Sequence, residues 1–272
     1  MLKSVISFIV YSNLWISLGA SSFCILYYQL RSIDIDWILT LFVFSSTLIT
    51  YNFQRYLKLV YNENIQGARM IWMQNNKNLA ASLMVVGGIG SVVFCINISW
   101  ISLLLLIFSG LISFLYAFKF KLGKFSSNLR DIPGIKIYLI SVVWAISCCI
   151  IPAVESQTLD FNGWLICTGY FLFILGITIP FDIRDIDHDD NEKHTIPQMI
   201  GVFWSKIVAI IAVLLSLILM EYPDFDSTGL LVSIIMTTVI IALSKKKRNE
   251  LFYSFFMDGT LLLLPIGMVL LP

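Results

Sequence analysis

The chain has 272 residues, of which 58% are hydrophobic and 13% charged, with a formal net charge of +1 and a mean hydropathy of +0.86. A chain this apolar is not a soluble enzyme; it reads as a single polytopic membrane domain over residues 1–272. The near-neutral balance implies no nucleic-acid partner, and the five cysteines, lying in apolar runs without a Cys-x-x-Cys pair, read as small core hydrophobes.

Crossing a bilayer takes about 20 apolar residues, and nine stretches are candidates. They run Val5–Leu30, Ile35–Val60, Leu79–Ile98, Trp100–Phe120, Ile135–Val154, Trp164–Pro180, Val202–Met220, Thr228–Leu243 and Leu251–Leu271. The first follows Lys3 without a cleavage site and reads as a retained helix. A polar break at Asn97 parts the third from the fourth. Nine crossings put seventeen of the eighteen basic residues on one side, with Arg31 alone on the other. The positive-inside rule makes the base-rich side, with the N-terminus, cytoplasmic. The Lys245–Arg248 run reads as a topology anchor or as a phosphate-binding patch. Asp258 lies inside the last span, where it either lines a cavity or hydrogen-bonds a neighbouring helix.

Between the sixth and seventh spans, Pro180 to Gly201 carries six of the seventeen acidic residues. If the sixth helix continues into it, Asp182, Asp185 and Asp189 share one face at i, i+3 and i+7. Three anions on one stripe call for a hard cation. Mg²⁺ suits them, since it prefers one or two carboxylates plus the oxygens of a substrate phosphate. An EF-hand loop fails, because counting from Asp185 the sixth position is Asp190 and the twelfth Ile196. His188 and His194, with no cysteine nearby, are poor zinc ligands.

Arg184-Asp185-Ile-Asp-His-Asp189, then Lys193-His194-Thr195-Ile196-Pro197 and Gly201, resemble the second motif of the UbiA-type membrane prenyltransferases. Arg130-Asp-Ile-Pro133-Gly134-Ile-Lys136 is similar to the basic segment between that family's fourth and fifth helices. The resemblance implies an all-α bundle of nine transmembrane helices around a central cavity, in a bacterial-type plasma membrane. It also implies that Mg²⁺ holds a prenyl diphosphate, whose isoprenoid group passes to a lipophilic acceptor within membrane lipid. On that reading Asp182, Asp185 and Asp189 hold the metal, and Arg130, Arg184 and Lys193 hold the diphosphate. The family's first motif, Asn-x-x-x-Asp-x-x-x-Asp, aligns with Asn52, Tyr56 and Val60, so both carboxylates are missing, while Arg69 keeps the spacing of a family arginine. Asn52, Arg55 and Arg69 then become the diphosphate contacts on that side, with Tyr56 and Asp258 as cavity candidates. The departure keeps a second function open, a non-catalytic relative that binds lipid or a protein partner.

Overall fold

The computed structural model describes residues 2–61, 67–96, 98–117, 120–122, 125–127, 132, 134–187, 194–222 and 227–271. Each apolar stretch expected from the sequence is helical. The elements are α1 (Leu2–Tyr11), α2 (Leu14–Leu30), α3 (Trp37–Val60), a short α4 (Ala68–Asn75), α5 (Lys77–Cys95) and α6 (Trp100–Ala117). A small antiparallel hairpin follows, β1 (Phe120–Leu122) with β2 (Phe125–Ser127). Next come α7 (Lys136–Ala145), a π-helical turn (Ile146–Ile150), α8 (Ile151–Glu155), α9 (Phe161–Asp185), α10 (Ile196–Met220) and α11 (Thr228–Ala242). A second π-helical turn (Phe252–Met257) leads into α12 (Asp258–Leu270). Among the described residues, five helical segments are by themselves long and apolar enough to cross a membrane, or six with the bent α1–α2 pair. The nine crossings expected from the sequence exceed that number; α6 and α11 are shorter apolar helices, and α3 is not among the five.

The first span is not one helix but two, meeting at 65°. Asn13 sits at the break with φ of 68°, a left-handed conformation that asparagine tolerates better than most residues. Such a break frees backbone polar groups, which membrane helices must satisfy from neighbours. Asn52 of α3 does so: its amide nitrogen donates to the Ser12 carbonyl (3.1 Å), and its oxygen accepts from the Asn13 side chain (3.0 Å).

Close helix contacts rest on small residues, as expected where lipid supplies no hydrophobic drive between helices. On α9, Gly169 and Gly176 lie against α10 so tightly that a methyl group on Gly176 would stand 2.8 Å from the Ala209 carbonyl. Gly87 of α5 fits against the backbone of α3 at Ser45 and Ile49. The first and last spans are joined at Trp15, which stacks on Phe255 at 4.8 Å and donates to its carbonyl at 2.9 Å. Between these contacts Phe23, Tyr170 and Phe173 fill the core, and the Tyr170 hydroxyl is satisfied by the Phe23 carbonyl. Large apolar side chains such as Val92, Ile107, Phe203 and Val239 remain outside, forming the surface a membrane would cover.

Loops assigned to one side by charge meet at one end of the bundle. Arg69 reaches Glu250 (3.4 Å), Lys246 reaches Asp187 (3.4 Å) and Lys136 reaches Asp182 (2.6 Å). At the other end Arg31 bonds Asp160 (2.8 Å), and the Ser99 N–H donates to Glu155 (2.9 Å).

Candidate functional site

A cavity of about 470 Å³ opens within the bundle, bounded by α2, α3, α6, α7, the first π-helical turn, α9 and α12. That volume suits a small-molecule site. Its lining changes character along the bundle. At the base-rich end stand Arg55, Lys58, Arg69, Lys136, Arg184, Asp185 and Asp258; deeper in, the walls are Ile16, Ala20, Phe42, Leu106, Val143 and Leu261. Arg55 and Phe42 are thirteen positions apart on α3, so the shaft runs roughly 20 Å along that helix.

Helix α3 builds one wall by periodicity. Thr47, Thr50, Tyr51, Gln54, Arg55 and Lys58 all line the cavity, and their three- and four-residue spacing makes a polar stripe along an otherwise apolar helix. Helix α9 supplies the opposite wall, running through Pro180 as far as Asp185 and bringing Thr178, Phe181, Arg184 and Asp185 to the cavity. Arg69 enters from α4, just after Gly67 turns the chain at a φ of 101°. Asp258 follows the second π-helical turn, an irregularity that often marks a functional site.

The charges at the mouth are mostly committed to one another. Arg184 grips Asp185 with two bonds of 2.6 and 2.9 Å and lies over the rings of Phe181 and Tyr253. Arg69 bonds Ser254 and pairs with Glu250. Burial pushes its guanidinium below the ordinary value, while Glu250 and Asp258 pull it back up. Arg55 lies 5.9 Å from the Tyr51 ring centre, and its Nη1 is buried with no hydrogen-bond partner among the described residues. Leaving a buried charged donor unmatched is costly, so this nitrogen marks where an anion fits.

The structure brings Arg55, Arg69, Arg184, Asp185 and Asp258 to one cavity and separates other expected site residues from it. Asn52 is 1% exposed and does not line the cavity, its side chain being committed to the α1–α2 break. Tyr56 and Val60 are 36% and 57% exposed and stand outside the cavity lining. The cavity-facing positions four apart on α3 are Thr47, Tyr51 and Arg55, and alongside them Thr50, Gln54 and Lys58. The motif register read from the sequence therefore falls on the wrong face of α3. Asp182, 2% exposed, bonds Lys136 and borders a separate small pocket beside Thr195 and Ile196. Arg130, Asp189 and Lys193 lie outside the described residues, and the described helix stops at Asp185, short of Asp189. The cavity is also lined by Trp144 and the hydroxyls of Thr47, Thr50, Ser109 and Ser147, which the motifs do not single out. The polar stripe on α3 was the available signal.

The described donors do not by themselves make up the expected Mg²⁺ site, whose third ligand, Asp189, lies outside the described residues. No group of three His, Cys, Asp or Glu residues among them could hold a metal ion. Asp182 is tied to Lys136, and both oxygens of Asp185 accept from Arg184.

No protein-family model matches the chain, and a comparison with curated proteins gives no match. Among solved structures, the chain is similar to a digeranylgeranylglyceryl phosphate synthase described in membranes, with a TM-score of 0.57. The match covers 97% of this chain and 98% of that one at 16% sequence identity. At that identity the likeness is one of fold: a helical bundle, with one small hairpin among the described residues, matched almost end to end by this synthase.

Proposed function

We propose that the chain is a divergent membrane prenyltransferase, which binds a prenyl diphosphate in this cavity and passes the isoprenoid group to a lipophilic acceptor. One observation carries the reading: a mouth lined with guanidinium groups, including an Arg55 Nη1 without a hydrogen-bond partner among the described residues, continues into an apolar shaft. A diphosphate ester of an isoprenoid is shaped for such a space, with several negative charges at one end and hydrocarbon behind. Arginine can grip phosphate oxygens with paired, fixed donors. In a water-poor mouth those donors favour the charge that develops on a departing diphosphate. Tyr51, Trp144 and Phe181 line the same cavity, and aromatic rings can stabilise the allylic cation left behind. Arg55, Arg69 and Arg184 supply the positive charge in this reading, and the charge bias of the loops turns the mouth toward the cytoplasm.

The commitment of Asp182 and Asp185 to cationic side chains favours a second reading, in which the cavity binds an isoprenoid lipid without chemistry. Titration of the full chain in detergent with farnesyl and geranylgeranyl diphosphate, with Mg²⁺ and with chelator, tests both. Arg55→Ala should weaken binding by about 10- to 100-fold, the worth of one charge-assisted contact. Chelator should change affinity less than this substitution does. Binding with diphosphate release supports transfer; binding without release supports the second reading. An Arg55→Ala chain with unchanged affinity would sink the diphosphate assignment.

A further inference from the structure

We infer that Asp258 is the proton acceptor of the transfer reaction, a role that rests on the prenyl-transfer reading above. Four described carboxylates stand at or beside the cavity mouth. Asp182 bonds Lys136, Asp185 bonds Arg184 and Glu250 pairs with Arg69. Asp258 lines the cavity and has neither a hydrogen bond nor an ion pair among the described residues. It is the one carboxylate of the four left available to a bound molecule.

Its position matches the chemistry. Asp258 and Leu261 are one turn apart on α12 and both face the cavity. Asp258 lies among the charged groups of the mouth, where Arg69, Arg55 and Arg184 are the charges that act on it, while Leu261 belongs to the apolar shaft. Asp258 therefore marks the seam between mouth and shaft. The reacting carbon of a prenyl diphosphate, C1, lies at the same seam, one bond from the phosphate and at the head of the hydrocarbon chain.

The step must also place a proton. The C1–O bond breaks and its electron pair leaves with the diphosphate. A lone pair of the acceptor's O–H or N–H group forms the new bond to C1, and the acceptor's proton passes to the Asp258 carboxylate. A nucleophile close enough to attack C1 is held at the seam, where a carboxylate can reach its proton. The acceptor class that follows is a lipophilic molecule with a hydroxyl or amine at its polar end, presented from the membrane.

The test uses the full chain in bicelles of host total-lipid extract as the acceptor pool, with radiolabelled farnesyl or geranylgeranyl diphosphate as donor. Asp258→Asn should bind the donor within about threefold of wild type, yet release diphosphate about 100-fold more slowly, a typical contribution of a positioned base. Asp258→Glu should recover a large part of that loss. Asp258→Asn with the wild-type rate overturns this assignment and leaves prenyl transfer standing. A wild-type chain that releases no diphosphate from either donor overturns both. Loss of donor binding in Asp258→Asn and Asp258→Glu alike makes Asp258 part of the binding scaffold and also overturns the assignment.

Discussion

Substituting Asn52 separates two roles that the sequence and the structure assign to it. Aligned with a motif, Asn52 is a diphosphate contact; in the fold, it closes the break between α1 and α2. Asn52→Leu removes the bond from Asn13 at 3.0 Å and the donation to the Ser12 carbonyl at 3.1 Å, both in a buried setting. Interhelical side-chain bonds in membrane proteins average about 0.6 kcal/mol, with a maximum near 1.7. The Ser12 carbonyl also loses this donor at a helix break, and an unsatisfied buried group costs about 1–3 kcal/mol. Together these give a destabilisation of roughly 2–4 kcal/mol, measured as the loss of helicity on titrating dodecyl-maltoside micelles with SDS. A cycle with Asn13→Gly, which keeps the left-handed backbone while removing the side chain, should show coupling of about 0.6–1.7 kcal/mol. Affinity for geranylgeranyl diphosphate, measured on the folded fraction, should stay within threefold of wild type. Affinity more than tenfold weaker at unchanged stability would refute the structural role and return Asn52 to the diphosphate site.

Two further substitutions probe the scaffold. Gly176→Val drives a side chain into α10, where a Cβ alone would lie 2.6 Å from Val213 Cγ2; overpacking of this kind costs about 1–3 kcal/mol, and an unchanged thermal midpoint would contradict the close α9–α10 contact. Asp160 caps α9 through the Gly163 N–H and bonds Arg31, and these bonds hold its carboxyl below the ordinary carboxylate value. Its folded value being depressed, its stabilising effect is complete above the unfolded value of roughly 4 and fades as pH falls through the folded one. Wild type should therefore lose more thermal stability than Asp160→Asn between about pH 4 and pH 2.5, and equal losses would rule this cap out.

The helices were legible because apolar runs of span length have little alternative to burial or lipid. The ends of the bundle were legible because bases crowd into alternate loops. What stayed hidden depended on contacts between distant residues. Ser12 and Asn13 look like a tolerable polar pair in an apolar run, and only the approach of Asn52, 39 residues beyond Asn13, makes them a helix break. Asp182 and Asp185 are one turn apart, and nothing local says that one meets Lys136 while the other meets Arg184. That division appears only when α7 packs beside α9, bringing Lys136 within 2.6 Å of Asp182.

The register of α3 decides which of its side chains meet the cavity. At 36% and 57% exposed, Tyr56 and Val60 face away from the cavity, so acids at those positions would not reach the mouth in this fold. The inward positions carry Thr47, Tyr51 and Arg55 on one row, with Thr50, Gln54 and Lys58 beside it. Two bases thus occupy the wall on which acidic motif residues would have to stand to hold a metal. Aspartates on that wall would pair with Arg55 and cancel its charge, as Asp185 does for Arg184 across the cavity. Among the described residues, Arg55 Nη1 has no hydrogen-bond partner. An unpartnered guanidinium on this wall presents to an anionic ligand the positive charge that a bound cation would otherwise supply.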